Sequence, residues 1–457
     1  MVATQPSQGR HQFERSTLAE SSDTSSSKTP GQQVALGVLR TAVHFFPDLY
    51  ERLEAVTDPR TRRDYTMTEI LLGGIFLFVC KQGSRNSMND DRAKEHFAAN
   101  YRSLFGKELP HMDTVDAVLR EASTDELECL KGALISALIE KKVLKGMRLL
   151  DKYYRVAVDA TGIMAVGKGH CLHCLHKTSK KTGVTTYFHN LLEAKLITPN
   201  GFAISLASEW IENPDDYNKQ DCEQKAFRRL AERLKKLYPR LPVAIHADGL
   251  YPNAPFFDIC RANDWRWIVT LKDGSLKSLW EEVDMELMTK AKNVRAVSHP
   301  QKARHQTYRW LSGLRYQDHT LSWLECVEED AGKLKRFVYV TDIEACFDSV
   351  IELTTSGRMR FKIENEGFNA LKNGGYELSH KYSRRSAVAM KNYVCLMHIA
   401  HLINQLYTLS SAGLALWGGK DTLKALWKDF LSELRKKVID ALDVLVVRTR
   451  RIQIRFG

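Results

Sequence analysis

Two apolar runs, Val156-Ala157-Val158 and Val243-Ala244-Ile245-His246-Ala247, each lead straight into an aspartate, Asp159 and Asp248, with a glycine close behind at Gly162 and Gly249. Runs rich in Val and Ile suit buried strands. A carboxylate at the end of such a strand either starts a turn or is held at a cleft, where it can do chemistry. The second acid follows the first by 89 residues, so two strands can bring both to one cleft.

The pattern around them sets the fold class. Between the two runs lie further short apolar segments, Tyr187 to Phe188, Leu191 to Ile197 and Phe202 to Leu206, and a charged stretch, Cys222 to Leu237. In that stretch Phe227, Leu230, Leu234 and Leu237 recur at helical spacing. Strands, a crossover helix and another strand make an α/β domain with a mixed sheet. Trp267 to Leu271 and Phe337 to Thr341 read as further core strands, and residues 277–336 as a strand-rich insertion with a helical piece around Trp280 to Met288.

The flanks read as helical. Leu36, Leu39, Val43 and Phe46 open an all-helical region over 34–150. Within it, Asp113 to Glu121 is a helix with Asp113 as candidate cap, either an ordinary packing helix or one arm of a helix-turn-helix. Residues 1–33, rich in Ser, Thr and Gln, read as a disordered tail. The chain is expected to be helical again from Ser349, with a basic C-terminal segment over 413–457. The core is then 151–276 together with 337–412.

Composition narrows the partners. A formal net charge of +12 over 457 residues favours a polyanion such as nucleic acid. The longest apolar run, Ile70 to Cys80, contains Gly73 and Gly74 and falls short of the roughly 20 residues a membrane span needs, so no membrane partner is expected. Nine cysteines without a secretory signal fit free thiols in a reducing compartment. No Gly-x4-Gly-Lys-Ser/Thr loop occurs, which argues against nucleotide-driven chemistry.

Two strand-end acids suit phosphoryl transfer, in which two divalent ions about 3.5 to 4 Å apart activate the attacking oxygen and stabilise the leaving one. Mg²⁺ takes few carboxylates per ion, with waters and substrate completing its shell. A third acid is expected from the helix carrying Arg358 to Lys372, with Thr354, Thr355 or Ser356 as its cap and Gly374-Gly375 as its end. Glu364 and Glu366 both qualify, flanking the buried side in opposite directions. Arg360 lies four residues before Glu364 and can meet a phosphate.

Taken together, Asp159, Asp248 and Arg360-x3-Glu364 resemble the DDE transposases of bacterial insertion sequences, in the branch with a Tyr-x2-Arg-x3-Glu-x6-Lys signature. The resemblance covers about Tyr153 to Gln405. It implies a ribonuclease-H-like core with a strand-rich insertion, and Asp159, Asp248 and Glu364 (alternatively Glu366) as catalytic ligands of two Mg²⁺ or Mn²⁺ ions. It implies that Arg360, Lys372 and, in the Glu366 register, Lys362 contact DNA. It further implies a homodimer acting on double-stranded DNA at terminal inverted repeats and target, by cut-and-paste transposition in the bacterial cytoplasm at the nucleoid. Two positions depart from the signature: Gly357 stands at the tyrosine, and Lys372 falls one residue late. A catalytically degenerate DNA-binding repressor and a general ribonuclease-H-like nuclease are the alternatives.

A second constellation lies in His170 to His176, where Cys171 and Cys174 form a Cys-x2-Cys pair, with His189 downstream. These are candidate structural Zn²⁺ ligands; the alternative is free cysteines packed in a hairpin.

Overall fold

A computed structural model of the chain describes residues 28–166, 171–289, 293–299, 304–383, 386–417, 422–450 and 453–456. The first helix, α1 (Pro30–Phe45), begins before the expected boundary at residue 34. Thr29 accepts from the Gln32 amide, the Gln32 side chain accepts from the Thr29 amide, and Pro30 fills a first-turn position that needs no donor. Residues that read as tail composition are therefore a helix start signal. Six helices follow: α2 (Leu49–Glu54), α3 (Met67–Val79), α4 (Arg85–Arg92), α5 (Glu95–Phe105), α6 (Met112–Glu121) and α7 (Thr124–Glu140). The N-terminal region is thus helical. The cap of α6 is His111, whose ring nitrogen accepts from the Asp113 amide; Asp113 already lies inside the helix.

Ten strands then form one mixed sheet among the described residues. They are β1 (Tyr154–Val166), β2 (Leu175–Thr178), β3 (Thr185–Ile197), β4 (Ala203–Ile211), β5 (Val243–Ala247), β6 (Arg266–Thr270), β7 (Val294–His299), β8 (Arg304–Tyr316), β9 (His319–Asp330) and β10 (Lys333–Thr341). The helices between them are α8 (Glu223–Leu237), α9 (Ala254–Ala262) and α10 (Lys277–Thr289). β1 and β3 pair antiparallel, and β4 lies antiparallel on the far edge of β3. β5 and β6 add in parallel beside β1, reached through α8 and α9. The strand-rich stretch adds its strands to this sheet. β10 pairs antiparallel with β6, so β10, β9, β8 and β7 extend the same sheet.

β1 also differs from expectation. It does not end at Asp159 but runs on to Val166, because β3 continues far enough to pair it, with an irregularity between Gly162 and Met164. What ends near Asp159 is the parallel ladder to β5, whose last pair is Ala157 with His246.

After β10 come α11 (Val350–Arg358), a 3₁₀ turn Met359–Phe361, a π-helical segment Ile363–Asn369 and α12 (Ala370–Asn373). The helical stretch opens with Ser349 at the cap of α11, where helix is expected to resume; Thr354, Thr355 and Ser356, the expected caps of the helix carrying Arg360, instead lie inside α11, with Thr354 and Ser356 buried. Gly374 ends it. The chain closes with α13 (Ala387–Thr408), α14 (Ser411–Trp417), α15 (Leu423–Lys436) and α16 (Ala441–Thr449).

α13 is buried along nearly its whole length, and α1, α3, α6 and α7 pack around it. Polar side chains fix these contacts where apolar packing leaves backbone groups to satisfy. Asn392 donates to the carbonyls of Leu119 and Ala122 at the end of α6, and the Trp427 indole of α15 donates to Val79 at 2.7 Å. N- and C-terminal helices therefore share one core. α3, expected to be too short for a membrane, is an interior helix with its Thr66-to-Glu69 capping box, and no described helix is long and apolar enough to cross a membrane.

Under the α11-to-α12 stretch the sheet buries a charge pair. Lys195 Nζ lies 2.8 Å from a Glu193 oxygen, and both side chains are inaccessible. Ser205 and Ser208 donate to the same carboxylate, and Lys131 of α7 reaches both serines. Burial opposes the charged form of Glu193, but His398, Lys195 and Lys131 outweigh it and hold the carboxyl down to about 2.

Candidate functional site

The parallel pairing of β1 with β5 delivers Asp159 and Asp248 to the same end of neighbouring strands. Each carboxylate uses one oxygen locally. Asp159 Oδ1 accepts from the Ala160 amide at 3.0 Å, and Asp248 Oδ1 accepts from the Leu250 amide at 2.8 Å, forming the turn that carries Gly249. The turn reading of Asp248 is thus correct as far as it goes. The remaining oxygens face cations: Arg360 Nη1 lies 2.9 Å from Asp159 Oδ2, and Lys272 Nζ lies 4.0 Å from Asp248 Oδ2.

The field at Asp159 demands positive charge. Burial raises its carboxyl above the ordinary range, Arg360 and the Ala160 amide work against that rise, and the negative charge of Asp248 adds to it. A third carboxylate shares this field. Glu223, first residue of α8, has its carboxyl raised by burial and by Asp159 and Asp248, while the Tyr251 hydroxyl donates to it at 2.8 Å. Sequence reasoning missed Glu223 because acids at a helix start are ordinary partners of the helix dipole. The available signal was its place at the head of the crossover helix between two strands that carry acids.

The two expected third acids stand differently. Glu364 is exposed and makes no hydrogen bond or ion pair among the described residues. Glu366 pairs with Lys362 at 2.8 Å and lines a separate 550 Å³ cavity with Lys81, His401 and Trp427. A regular wheel puts these glutamates to either side of Ile363, but the π-helical turns re-aim them; π segments concentrate at functional sites. Glu193, opposite Asp159 in the β1–β3 register, is consumed by Lys195 and its serines.

Beside Asp248 opens a 420 Å³ groove lined by Lys272, Asp273, Arg336, Tyr339, Arg360 and Phe361, among others. Its cations suit a phosphate chain. Gly357, at the signature's tyrosine position, packs so closely on Tyr339 that an added Cβ would lie 2.7 Å from the ring. A tyrosine ring from β10 therefore fills the space beside position 357. Lys372, on α12, is half-buried and forms no ion pair among the described residues.

Neither a protein-family model nor a curated protein matches the chain. The site must therefore be read from its own geometry. A second group stands apart from it: Cys171, Cys174 and His189 bring two sulfurs and a ring nitrogen within 4.8 Å of one another. His170, which opens that run, lies outside the described residues.

Proposed function

We propose that the chain is a DNA-cleaving and strand-transferring enzyme of the DDE transposase type. The observation that carries this reading is the convergence of Asp159 and Asp248 on adjacent parallel strands, with Arg360 brought 2.9 Å from Asp159 by a helix beyond the β7–β10 strands. The strand order β4-β3-β1-β5-β6, antiparallel on one side of β1 and parallel on the other, supports a ribonuclease-H-like core.

The donor set fits divalent cations. Oxygen donors, an Asp159 carboxyl that burial still raises despite Arg360, and two basic side chains standing in for cations all point to hard ions such as Mg²⁺ or Mn²⁺. Asp159, Asp248 and Glu364 would hold them, where they supply the charge that activates water and steadies the leaving oxygen. Glu364 is exposed and stands four residues after Arg360, the spacing that favours it; Glu366 pairs with Lys362 through Oε1 and buries Oε2 without a hydrogen-bond partner, which keeps it as the alternative. Arg360, Lys272 and Arg336 bind the phosphate chain in the groove, and Tyr339 packs where the signature tyrosine would stand. Cleavage leaves a 3′-hydroxyl, the nucleophile for joining to target DNA. The substrates are double-stranded element ends, paired by a homodimer.

Purified protein with Mg²⁺ or Mn²⁺ is expected to nick DNA bearing its inverted repeats. Glu364→Gln should lose this activity and Glu366→Gln should keep it; the reverse would move the third ligand to Glu366. Binding without cutting in either metal would support the repressor alternative, which the glycine at position 357 favours. Cutting without regard to ends would support a general nuclease.

The pH profile offers a separate check. Metal uptake needs the Asp159 carboxylate, whose carboxyl is raised by burial in the metal-free site, so at limiting Mg²⁺ cleavage should climb as pH rises through its titration. Arg360→Ala removes the cation that opposes the rise, so its profile should shift to higher pH. An unshifted profile would show that Arg360 does not set the charge of Asp159.

A further inference from the structure

We propose that Cys171, Cys174 and His189 hold a zinc ion that fastens the β2–β3 hairpin to the loop leading into α8. Cys171 Sγ and Cys174 Sγ are 3.3 Å apart, and each is 3.3 Å from His189 Nε2. The sulfurs are too far apart for a disulfide, whose bond is about 2.05 Å. The three atoms form a near-equilateral triangle, and an ion about 1 Å off its plane reaches all three at roughly the 2.0 to 2.3 Å of zinc–nitrogen and zinc–sulfur bonds. Two thiolates and an imidazole favour zinc over Mg²⁺ or Mn²⁺, so this centre is chemically distinct from the carboxylate site.

The surroundings are built for a ligating histidine. His189 Nδ1 and Glu212 Oε1 are buried, have no other hydrogen-bond partner, and face each other at 3.4 Å. Coordination through Nε2 leaves the ring proton on Nδ1, aimed at that carboxylate, the arrangement by which outer carboxylates orient metal-bound imidazoles. Lys391 pairs with the other Glu212 oxygen and keeps the carboxylate in place. Binding zinc releases both thiol protons. His173 turns its Nδ1 to the Asn213 carbonyl, so the described residues supply three donors and leave the fourth position to another ligand.

The loop bonds explain what the ion would do. Asn213 donates to the Cys174 carbonyl at 2.9 Å and accepts from the Asp221 amide at 3.0 Å, one residue before the Cys222 cap of α8. Glu223 follows directly. The zinc loop thus sets where α8 begins, and with it the carboxylate that shares the field of Asp159 and Asp248.

The full-length protein, expressed with zinc and purified without chelator, should carry about one zinc per chain by elemental analysis. Replacing that zinc with Co²⁺ should give thiolate-to-cobalt charge transfer and intense tetrahedral d–d bands, both lost in Cys171→Ser/Cys174→Ser. The wild-type cobalt spectrum stands alone even if the double variant fails to fold. Trace zinc together with absent thiolate–cobalt bands would overturn the site, as would a Cys171–Cys174 disulfide by mass spectrometry in protein purified under reducing conditions. None of these measurements involves DNA, so they fail or succeed independently of the transposase reading.

Discussion

Asp248→Ala is expected to lower single-turnover strand cleavage by about 10³-fold or more, since removing charge stabilisation worth several kcal/mol costs a factor of ten per 1.36 kcal/mol. DNA binding should persist, because the groove keeps Lys272, Arg336 and Arg360. The loss falls on the chemical step and not on folding: Asp248 lies at the surface end of β5, where its side chain accepts the turn bond from the Leu250 amide and stands 4.0 Å from Lys272. Gel-shift and cleavage assays on one protein preparation separate the two effects. Cleavage within tenfold of wild type would remove Asp248 from the reaction.

The second large effect is on stability. Lys195→Met strips Glu193 of its 2.8 Å partner while leaving the carboxylate fully buried. Breaking one side of a buried pair typically costs about 3 to 5 kcal/mol. Exchanging both members, Glu193→Leu with Lys195→Met, should recover most of that loss, because the desolvation cost disappears with the charges. The pH dependence carries a definite sign. In the native chain Glu193 is held down to about 2, so its contribution is complete above the unfolded carboxyl value and drains away as pH falls from there through 2. In Lys195→Met the native carboxyl titrates at higher pH, and the window narrows. Denaturant unfolding at neutral and acid pH checks this; a Lys195→Met midpoint equal to wild type would mean that Lys131 and the two serines suffice.

Much of this architecture was legible because it rests on local pattern. The Val-rich runs became β1 and β5, the Phe227-Leu230-Leu234 stripe became α8, and Phe337 to Thr341 became the inner half of β10. What escaped depended on partners distant in sequence. β1 outran Asp159 because β3 pairs it, and the 277–336 strands joined the main sheet because β10 found β6. Neither fact has a local signature. The start of α1 escaped because a capping box uses the same Thr and Gln that mark a solvated tail.

At the site the division is similar. Asp159, Asp248 and Arg360 could be named from spacing and resemblance, and the structure brings these three together. The π-helical turns at Ile363–Asn369 could not be foreseen, and they re-aim Glu364 and Glu366, between which a helical wheel does not choose. Glu223 was hidden in plain composition, since only the fold places the head of α8 beside two strand ends. For the Cys171–Cys174–His189 group the spacing named the donors, but the Glu212 carboxylate behind His189 needed the third dimension.

The central claim is that Asp159 and Asp248 act as metal ligands in DNA strand cleavage, and a ligand swap tests it most directly. Asp159→Cys exchanges an oxygen donor for sulfur, which Mg²⁺ binds poorly and Mn²⁺ or Zn²⁺ tolerates better. The measurement is single-turnover cleavage of inverted-repeat DNA by wild type and Asp159→Cys in each metal. Asp159 as a ligand predicts wild-type cleavage in Mg²⁺ and Mn²⁺, silence of the variant in Mg²⁺, and recovered cleavage in a thiophilic ion. Wild-type rates for Asp159→Cys in Mg²⁺, or no cleavage by the wild type in any divalent metal, would contradict it.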